Sequence, residues 1–132
     1  ETGHLVLSTL HTSSAVKTID RIIDVFPAGQ KSQIRSMLSE SLLAVVAQKL
    51  LSNSKKNGRV PASEIMIATS AIRNLIREDK IYQIPTLIQS GSKEGMQSLD
   101  GDLQRLLNQG VIDRNEAILV AENPKIFEQG IF

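Results

Sequence analysis

The chain has 132 residues, of which 41% are apolar and 22% charged, a mixture typical of a folded globular protein and not of a disordered or fibrous one. Its 15 basic and 14 acidic side chains nearly cancel, so no net field favours binding to nucleic acid or to an anionic membrane. Cysteine is absent, which excludes a disulfide framework and a thiolate metal site and suits a cytoplasmic protein.

The first segments in chain order predict a mixture of strand and helix. Residues 5–9 form a short apolar run with a β-branched centre, which is typical of a buried parallel strand. A helix capped by Ser13 or Ser14 is expected to run to about Val25. Apolar residues at helical spacing over residues 28–47 then predict the longest helix of the chain.

A hairpin is predicted in the middle of the chain. The polar residues 52–59 hold the densest turn signal, and apolar segments flank them, which predicts that residues 48–51 pair with residues 60–67. Pro61 must then lie at a sheet edge or near the start of its strand. The longest apolar run, residues 42–51, is far shorter than the ~20 residues of a membrane-spanning helix, so no transmembrane segment is predicted.

The second half is predicted to be almost wholly helical. Ser70 is expected to cap a helix over residues 71–80, and residues 81–89 are expected to form another helix, which Pro85 interrupts. A leucine stripe over residues 99–107 predicts a third helix.

A last helix is predicted from Asp113 to about Asn123, because Asp113 and Glu116 resemble a capping box with aspartate in the first position. The chain is therefore divided into an α/β part, residues 1–69, and a helical part, residues 70–132. It begins without an initiator methionine or a signal region, and we interpret its start as an internal cut.

Two histidines flank the predicted first strand. Ligands of parallel α/β sheets bind beyond the carboxyl ends of the strands, so His11, with Thr9 and Thr12, is the better candidate for contacting a phosphate oxygen or orienting a water. His4 lies at the other end of the strand. The alternative is a pair of histidines that bond only to loop backbone, and their spacing does not exclude it.

Residues 2–12, Thr-Gly-His-Leu-Val-Leu-Ser-Thr-Leu-His-Thr, resemble the histidine box of the secretion ATPase superfamily, the hexameric RecA-like ATPases of type II secretion and type IV pili. The resemblance implies an α/β fold: the C-terminal part of a RecA-like P-loop ATPase core, followed by a helical subdomain. It also implies a site for ATP and Mg²⁺, with His11 as the γ-phosphate sensor and His4 in support. The residues expected to bind the nucleotide are Thr9, Thr12 and Arg21.

The arginines of the first half have a second interpretation. Arg21 and Arg35 are candidates for reaching the nucleotide or a neighbouring subunit, but an arginine on a helix surface is often only solvated. The sequence alone leaves both interpretations open.

Residues 71–78, Ala-Ile-Arg-Asn-Leu-Ile-Arg-Glu, narrow the assignment. Arg73 and Arg77 lie one helical turn apart, where like charges cost roughly 0.2–0.5 kcal/mol in an exposed helix, and a solvated helix face is the alternative. The octet resembles the signature of the pilus-retraction branch, which implies contacts between subunits or subdomains that transmit the nucleotide state. The positions assigned to this coupling are Arg73, Asn74, Arg77 and Glu78.

The chain lacks the signature of a phosphate-binding loop. None of its eight glycines begins the pattern G-x-x-x-x-G-K-S/T, whose backbone and lysine cradle the β- and γ-phosphates. No acidic metal site is identified either. We therefore expect the main catalytic groups upstream and no ATP turnover by this chain alone.

The function implied by the resemblance is part of a hexameric motor that hydrolyses ATP to retract type IV pili in twitching motility. Its partners would be copies of itself and the cytoplasmic face of the inner-membrane pilus platform, without nucleic acid. One alternative is a pilus-assembly or type II secretion ATPase, against which the octet argues. The other is a non-enzymatic interaction or DNA-binding module using residues 99–123, whose acidic second helix suits DNA poorly.

Overall fold

The computed structural model describes residues 3–128 and places helices around a two-stranded antiparallel hairpin. Short 3-10 turns lie at Ala28–Gln30, Ile81–Gln83 and Ser92–Glu94. The helices and strands, in chain order, are α1 (Ala15–Asp24), α2 (Lys31–Ser41), β1 (Ala44–Ser52), β2 (Arg59–Ile67), α3 (Ser70–Arg77), α4 (Ile84–Ser90), α5 (Leu99–Asn108), α6 (Arg114–Val120) and α7 (Lys125–Glu128). None of the helices in this described range is long and apolar enough to span a bilayer.

The predicted hairpin is confirmed and is longer than the sequence indicated. β1 pairs with β2 from Ala44 opposite Ile67 to Ser52 opposite Arg59. Pro61 is the third residue of β2, and a two-stranded sheet has only edge strands, so proline is tolerated there. The hairpin is the frame on which the helices of both halves pack.

Two apolar clusters share the buried face of the hairpin. The first joins Val45 and Met66 to helices α1, α3 and α4, and the second joins Leu51 and Ala62 to helices α5, α6 and α7. Between Ala62 and Met66, the alternation of β2 places Glu64 on the same buried face. Helices on both sides of residue 70 thus pack on one hairpin, and the division at that residue stays a prediction.

The predicted first helix is confirmed as α1, and nearby residues account for it. Ser14 is the N-cap, and its Oγ accepts a hydrogen bond from the Lys17 backbone N–H at 3.2 Å. Ile19 and Ile23, four residues apart, are buried in the first cluster. The helix therefore presents one apolar face to the hairpin and places its N-terminus beside the segment that holds His11.

The predicted strand over residues 5–9 is wrong for the structure described. Residues 4–10 form no regular secondary structure and pair with neither described strand, and Leu5, Val6 and Leu7 are 73%, 78% and 88% exposed. An apolar run with high β-propensity becomes a strand only where a neighbouring strand completes its hydrogen bonds, and residues 3–128 place none beside it.

The predicted helix over residues 28–47 is wrong in its last part. It separates into a 3-10 turn and α2, the longest described helix with 11 residues, and the chain enters β1 at Ala44. Val45 and Val46 favour an extended backbone. Their alternation of buried and exposed positions is that of a strand, so the period of two overrides the helical spacing.

Two helix starts in the second half differ from their predictions. Thr69, not Ser70, is the N-cap of α3, with its Oγ1 accepting from the Ile72 N–H at 3.4 Å. Pro85 lies in the first turn of α4 and does not interrupt it, because proline at the start of a helix removes only an N–H that has no helical partner.

The predicted capping box of the sixth helix is also wrong. Asp113 is the N-cap of α6, but its side chain makes no cap hydrogen bond and lies 3.4 Å from Lys56 Nζ. Glu116 instead accepts from the backbone N–H of Ser52 at 3.3 Å. Both carboxylates thus tie α6 to the hairpin, and the helix ends at Val120, before the predicted end.

Candidate functional site at the His11 turn

His11 lies between residues 4–10 and α1, in the short connection, residues 11–14, that we call the His11 turn. Its φ of 54° lies in the left-handed region, which is uncommon for a residue other than glycine and is worth attention when the side chain can carry chemistry. The turn directs the chain from residues 4–10 into the N-cap Ser14 in three residues. His11 is exposed on its outer side.

Side chains of α1 hold this turn from below. Arg21 Nη1 donates to the carbonyl oxygen of Leu10 at 2.9 Å. The hydroxyls of Thr12 and Thr18 share a hydrogen bond, and Thr18 Oγ1 also donates to the Ser14 carbonyl at 2.9 Å. Because these bonds come from a helix packed on the hairpin, the turn is fixed relative to the core.

A buried carboxylate holds the start of α1. Glu64 on β2 is 4% exposed, and its Oε1 accepts a hydrogen bond from the Ala15 backbone N–H at 2.8 Å. Burial raises the pKa of this carboxyl above its ordinary value of 4.5, although the Ala15 hydrogen bond and Lys49 lower it in part. Glu122 and Asp100 raise the pKa further.

An open cavity of about 720 Å³ lies between residues 6–13 and the outer face of β1. Thr9, His11 and Thr12 line one side, and the apolar side chains of Val46 and Leu50 line the other. One wall of the cavity has hydrogen-bond donors and the other has apolar side chains. This combination is typical of sites that bind and orient a small ligand.

Several residues that line the cavity have side chains suited to one wall of a phosphate site. His11, Thr9 and Ser13 line the cavity, and an imidazole and hydroxyls are donors suited to phosphate oxygens. No group of three or more His, Cys, Asp or Glu side chains within residues 3–128 is placed to hold a metal ion.

The residues predicted to bind the nucleotide lie together in the structure, but two of them form hydrogen bonds to other groups of the chain. Thr9, Thr12, His11 and Arg21 all lie at one turn. Thr12 is engaged with Thr18, and Arg21 with backbone, so these two hold the turn in the structure. His4 is exposed and lies outside the lining of the cavity.

The octet helix α3 lies against the C-terminal end of α2. Arg73 donates from Nε to the Ala68 carbonyl at 2.9 Å, and from Nη1 to the carbonyls of Ser39 and Glu40 at 2.6 and 2.7 Å. Arg73 is thus half-buried and bonded within the chain.

The other octet residues predicted to couple subunits stay on the surface. Arg77 Nη1 donates to Asn74 Oδ1 in the same helix at 3.0 Å, and Glu78 pairs with Lys80 at 3.0 Å. Arg35 of α2 lies 3.1 Å from Asp79 Oδ1, just after α3. Two arginine contacts therefore join α2 to the octet segment.

Sequence reasoning missed Glu64 as a site residue. A signal was present, because Ala62, Glu64 and Met66 alternate along a strand whose other members on that face are apolar. A carboxylate on the inward face of a strand needs a specific partner. That partner, Ala15, is 49 residues away in sequence, so the pairing could not be read from spacing.

Comparison with known families and relatives gives consistent matches. A family model described as "Type II/IV secretion system protein" matches residues 1–119. The chain is 57% identical over 123 residues to the twitching motility protein of Neisseria gonorrhoeae, and 57% identical over 129 residues to the type IV pilus retractation ATPase PilT of Pseudomonas aeruginosa. These matches cover 93% and 96% of this chain but 33% and 37% of the relatives, so it spans about a third of their length.

Solved structures agree. The pilus retraction motor PilT with bound ADP matches with a TM-score of 0.84 and 43% identity, covering 98% of this chain and 36% of that one. The ATPase DotB of Legionella pneumophila matches with a TM-score of 0.67 over 83% of this chain and 30% of its own. At 19% identity the second match shows likeness of fold alone.

Proposed function

The chain belongs to the family of type II/IV secretion system proteins, and from this premise we propose that it is the C-terminal part of a ring-forming ATPase that retracts type IV pili. The proposal is supported by relatives named for twitching motility and pilus retraction. The single observation that carries the proposed chemistry is the position of His11, which has a left-handed backbone and lines the cavity.

His11 is proposed to contact the γ-phosphate of ATP. His11 and Thr9 both line the cavity, and an imidazole and a hydroxyl can each donate to a phosphate oxygen. Phosphoryl transfer depends on positioning and charge stabilisation. A hydrogen-bond donor held in a fixed position is therefore suited to sense whether the γ-phosphate is present. His4, outside the cavity lining, is assigned a supporting role only.

The remainder of the ATPase core is proposed to pack on the outer face of β1. Val46 and Leu50 are 64% and 55% exposed there, and the apolar residues 5–7 are exposed beside them. An exposed apolar patch of this kind marks an interaction surface. The packed segment would bring the phosphate-binding loop and ligands of Mg²⁺.

Helix α3 is proposed to couple the site to the motion of the motor. Arg73 joins α3 to α2, which supports a contact between parts of one subunit. Arg77 is exposed, and its hydrogen bond in residues 3–128 is to Asn74 of the same helix, which supports a contact with a neighbouring subunit. Glu78 follows directly as the C-cap of α3. The ring, and the location in the cytoplasm at the inner-membrane pilus platform, are part of the same proposal.

The test is MgATP hydrolysis by the 132-residue chain, by the chain mixed with the part that precedes it, and by the full-length protein as the positive reference. We expect no turnover by the chain alone and at least partial recovery on mixing. A matched mixture with His11→Ala should not recover. Turnover by the chain alone, or recovery unaffected by His11→Ala, would contradict the proposal.

A further inference from the structure

Glu64 occupies an unusual position for a carboxylate. It lies on the buried face of the hairpin between Ala62 of the second apolar cluster and Met66 of the first. Its partner across the hairpin is Ala47, whose small side chain leaves room for it. Burying a carboxylate is unfavourable unless hydrogen bonds compensate, so the position calls for a specific role.

The compensation comes from the N-terminus of α1. Ala15 is the first residue of that helix, and its N–H is one of the donors that a helix leaves without an internal partner. Glu64 Oε1 accepts this N–H at 2.8 Å. The positive end of the helix dipole adds to the attraction, so the carboxylate and the helix end stabilise each other.

The charged groups around Glu64 form no ion pair with it within the described part of the chain. Lys49 on β1 donates its Nζ to the Val120 carbonyl at 3.1 Å. Asp100 on α5 accepts from the backbone N–H of Glu122 at 2.8 Å. Lys49 and Asp100 thus have other partners, and the bond from the Ala15 N–H is the directional contact of Glu64 in residues 3–128.

We infer that Glu64 is a positioning residue for the His11 turn. It fixes the first residue of α1, four residues after His11, while Ser14 caps the same turn of helix and Thr18 holds Thr12. The hairpin thereby fixes the position at which the chain enters α1, and with it the position of His11. The positioning role of Glu64 stands on geometry alone, whereas its expected effect on ATP turnover rests on the function proposed above.

The test compares Glu64→Gln, which keeps an oxygen acceptor, with Glu64→Leu, which fills similar volume without one. Asp102 supplies the matched control. It is 3% exposed and its Oδ2 accepts from the Ser63 backbone N–H at 2.8 Å, next to Glu64 in β2. Asp102→Leu therefore removes a comparable buried bond, together with the ion pair between Asp102 and Arg105, and neither contact involves the His11 turn.

The first readout is amide hydrogen exchange in the 132-residue chain. Glu64→Leu should speed exchange at Ala15 and over residues 12–18 by about tenfold or more relative to amides of β1. Glu64→Gln should leave exchange within about threefold of the parent. Asp102→Leu should speed exchange in β2 and α5 and spare residues 12–18. If Glu64→Leu does not fold, Glu64→Met takes its place, because its flexible side chain fits the same space.

The second readout is ATP turnover by the full-length protein. Glu64→Leu should lower kcat about tenfold with little change in KM, Glu64→Gln should restore it, and Asp102→Leu should leave it near the parent value. Unchanged exchange over residues 12–18 in Glu64→Leu overturns the inference. Loosened exchange with unchanged turnover leaves the positioning role in place and contradicts the proposed role of His11 in ATP hydrolysis.

Discussion

Arg73 on α3 donates from Nη1 to the backbone carbonyl of Ser39 on α2, at 2.6 Å. The last turn of a helix leaves its carbonyls without helical partners, and a cation is favourable at that end of the helix dipole. The same nitrogen reaches the Glu40 carbonyl at 2.7 Å. The first arginine of the octet thus caps a helix that precedes it by some thirty residues, whereas Arg77 bonds within α3.

Arg73→Gln is expected to lower the free energy of unfolding by about 1–3 kcal/mol, since it removes charge-assisted bonds to half-buried carbonyls. Arg77→Gln, the matched control, is expected to change it by less than about 0.5 kcal/mol, as is usual for an exposed side chain. Urea unfolding of the 132-residue chain measures both. Equal effects of the two substitutions would contradict the capping role of Arg73.

The elements that the sequence predicted well are those whose cause is local. Helix α1 follows from Ser14 as its cap and from Ile19 and Ile23 on one face. The hairpin follows from a polar turn between apolar segments. Each signal lies within a few residues of the feature it specifies, so no knowledge of the rest of the fold was needed.

The features that the sequence did not predict depend on distant partners. Leu7 belongs to an apolar run, but a strand needs a neighbour that residues 3–128 do not place beside it. Glu64 and Ala15 are 49 positions apart, and Arg73 and Ser39 are 34 apart. The candidate site at His11 was chosen from the sequence and stays a prediction, while the groups that bond to its turn were revealed only by tertiary packing.

The free energy of unfolding is expected to depend on pH through the titration of Glu64. Because burial raises its pKa in the folded state above the ordinary 4.5, its contribution to stability is complete below pH 4.5 and is lost as pH rises through the folded pKa. Glu64→Gln cannot titrate. The unfolding free energy of the parent minus that of Glu64→Gln should therefore fall from about pH 4 upward, and urea titrations at several pH values measure it. A difference that grows with pH would contradict this assignment.

Gly91 is expected to tolerate no side chain. A Cβ there would lie 2.2 Å from Met96 Cε and 2.8 Å from the Leu87 carbonyl oxygen, and the backbone oxygen cannot move aside cheaply. Gly91→Ala should destabilise the chain by about 1–3 kcal/mol.

Gly29 provides the matched control for Gly91, because a Cβ built on it meets no atom within 4 Å. Gly29→Ala should be neutral or stabilise by up to about 1 kcal/mol, through the lower entropy of the unfolded chain. Thermal unfolding of the two variants gives both values. A stable Gly91→Ala variant would mean that α4 and Met96 can separate without cost.

The exposed face of β1 is expected to matter for assembly and not for the fold of the chain itself. Val46→Ser with Leu50→Ser should change the unfolding free energy of the 132-residue chain by less than about 1 kcal/mol, since both side chains are exposed. The same pair should weaken binding to the preceding part of the protein, because that face would be buried there. Leu119→Ser, 80% exposed on α6, is the control, and titration calorimetry is the measurement. Equal binding by all variants would contradict the proposed packing surface.

His11 allows the side chain and the backbone of the turn to be tested separately. Its φ of 54° costs little for glycine, so His11→Gly should keep the unfolding free energy within about 1 kcal/mol of the parent while removing the imidazole. ATP turnover by the full-length protein should nevertheless fall about a hundredfold, the usual loss when a group that acts in the transition state is removed. His4→Gly should have a much smaller effect, because His4 lies outside the lining of the cavity. Steady-state turnover, with stability measured on the same variants, separates loss of the donor from loss of the fold. If His11→Gly kept full turnover, the turn would be a structural joint and the contact with the γ-phosphate would have to come from another residue.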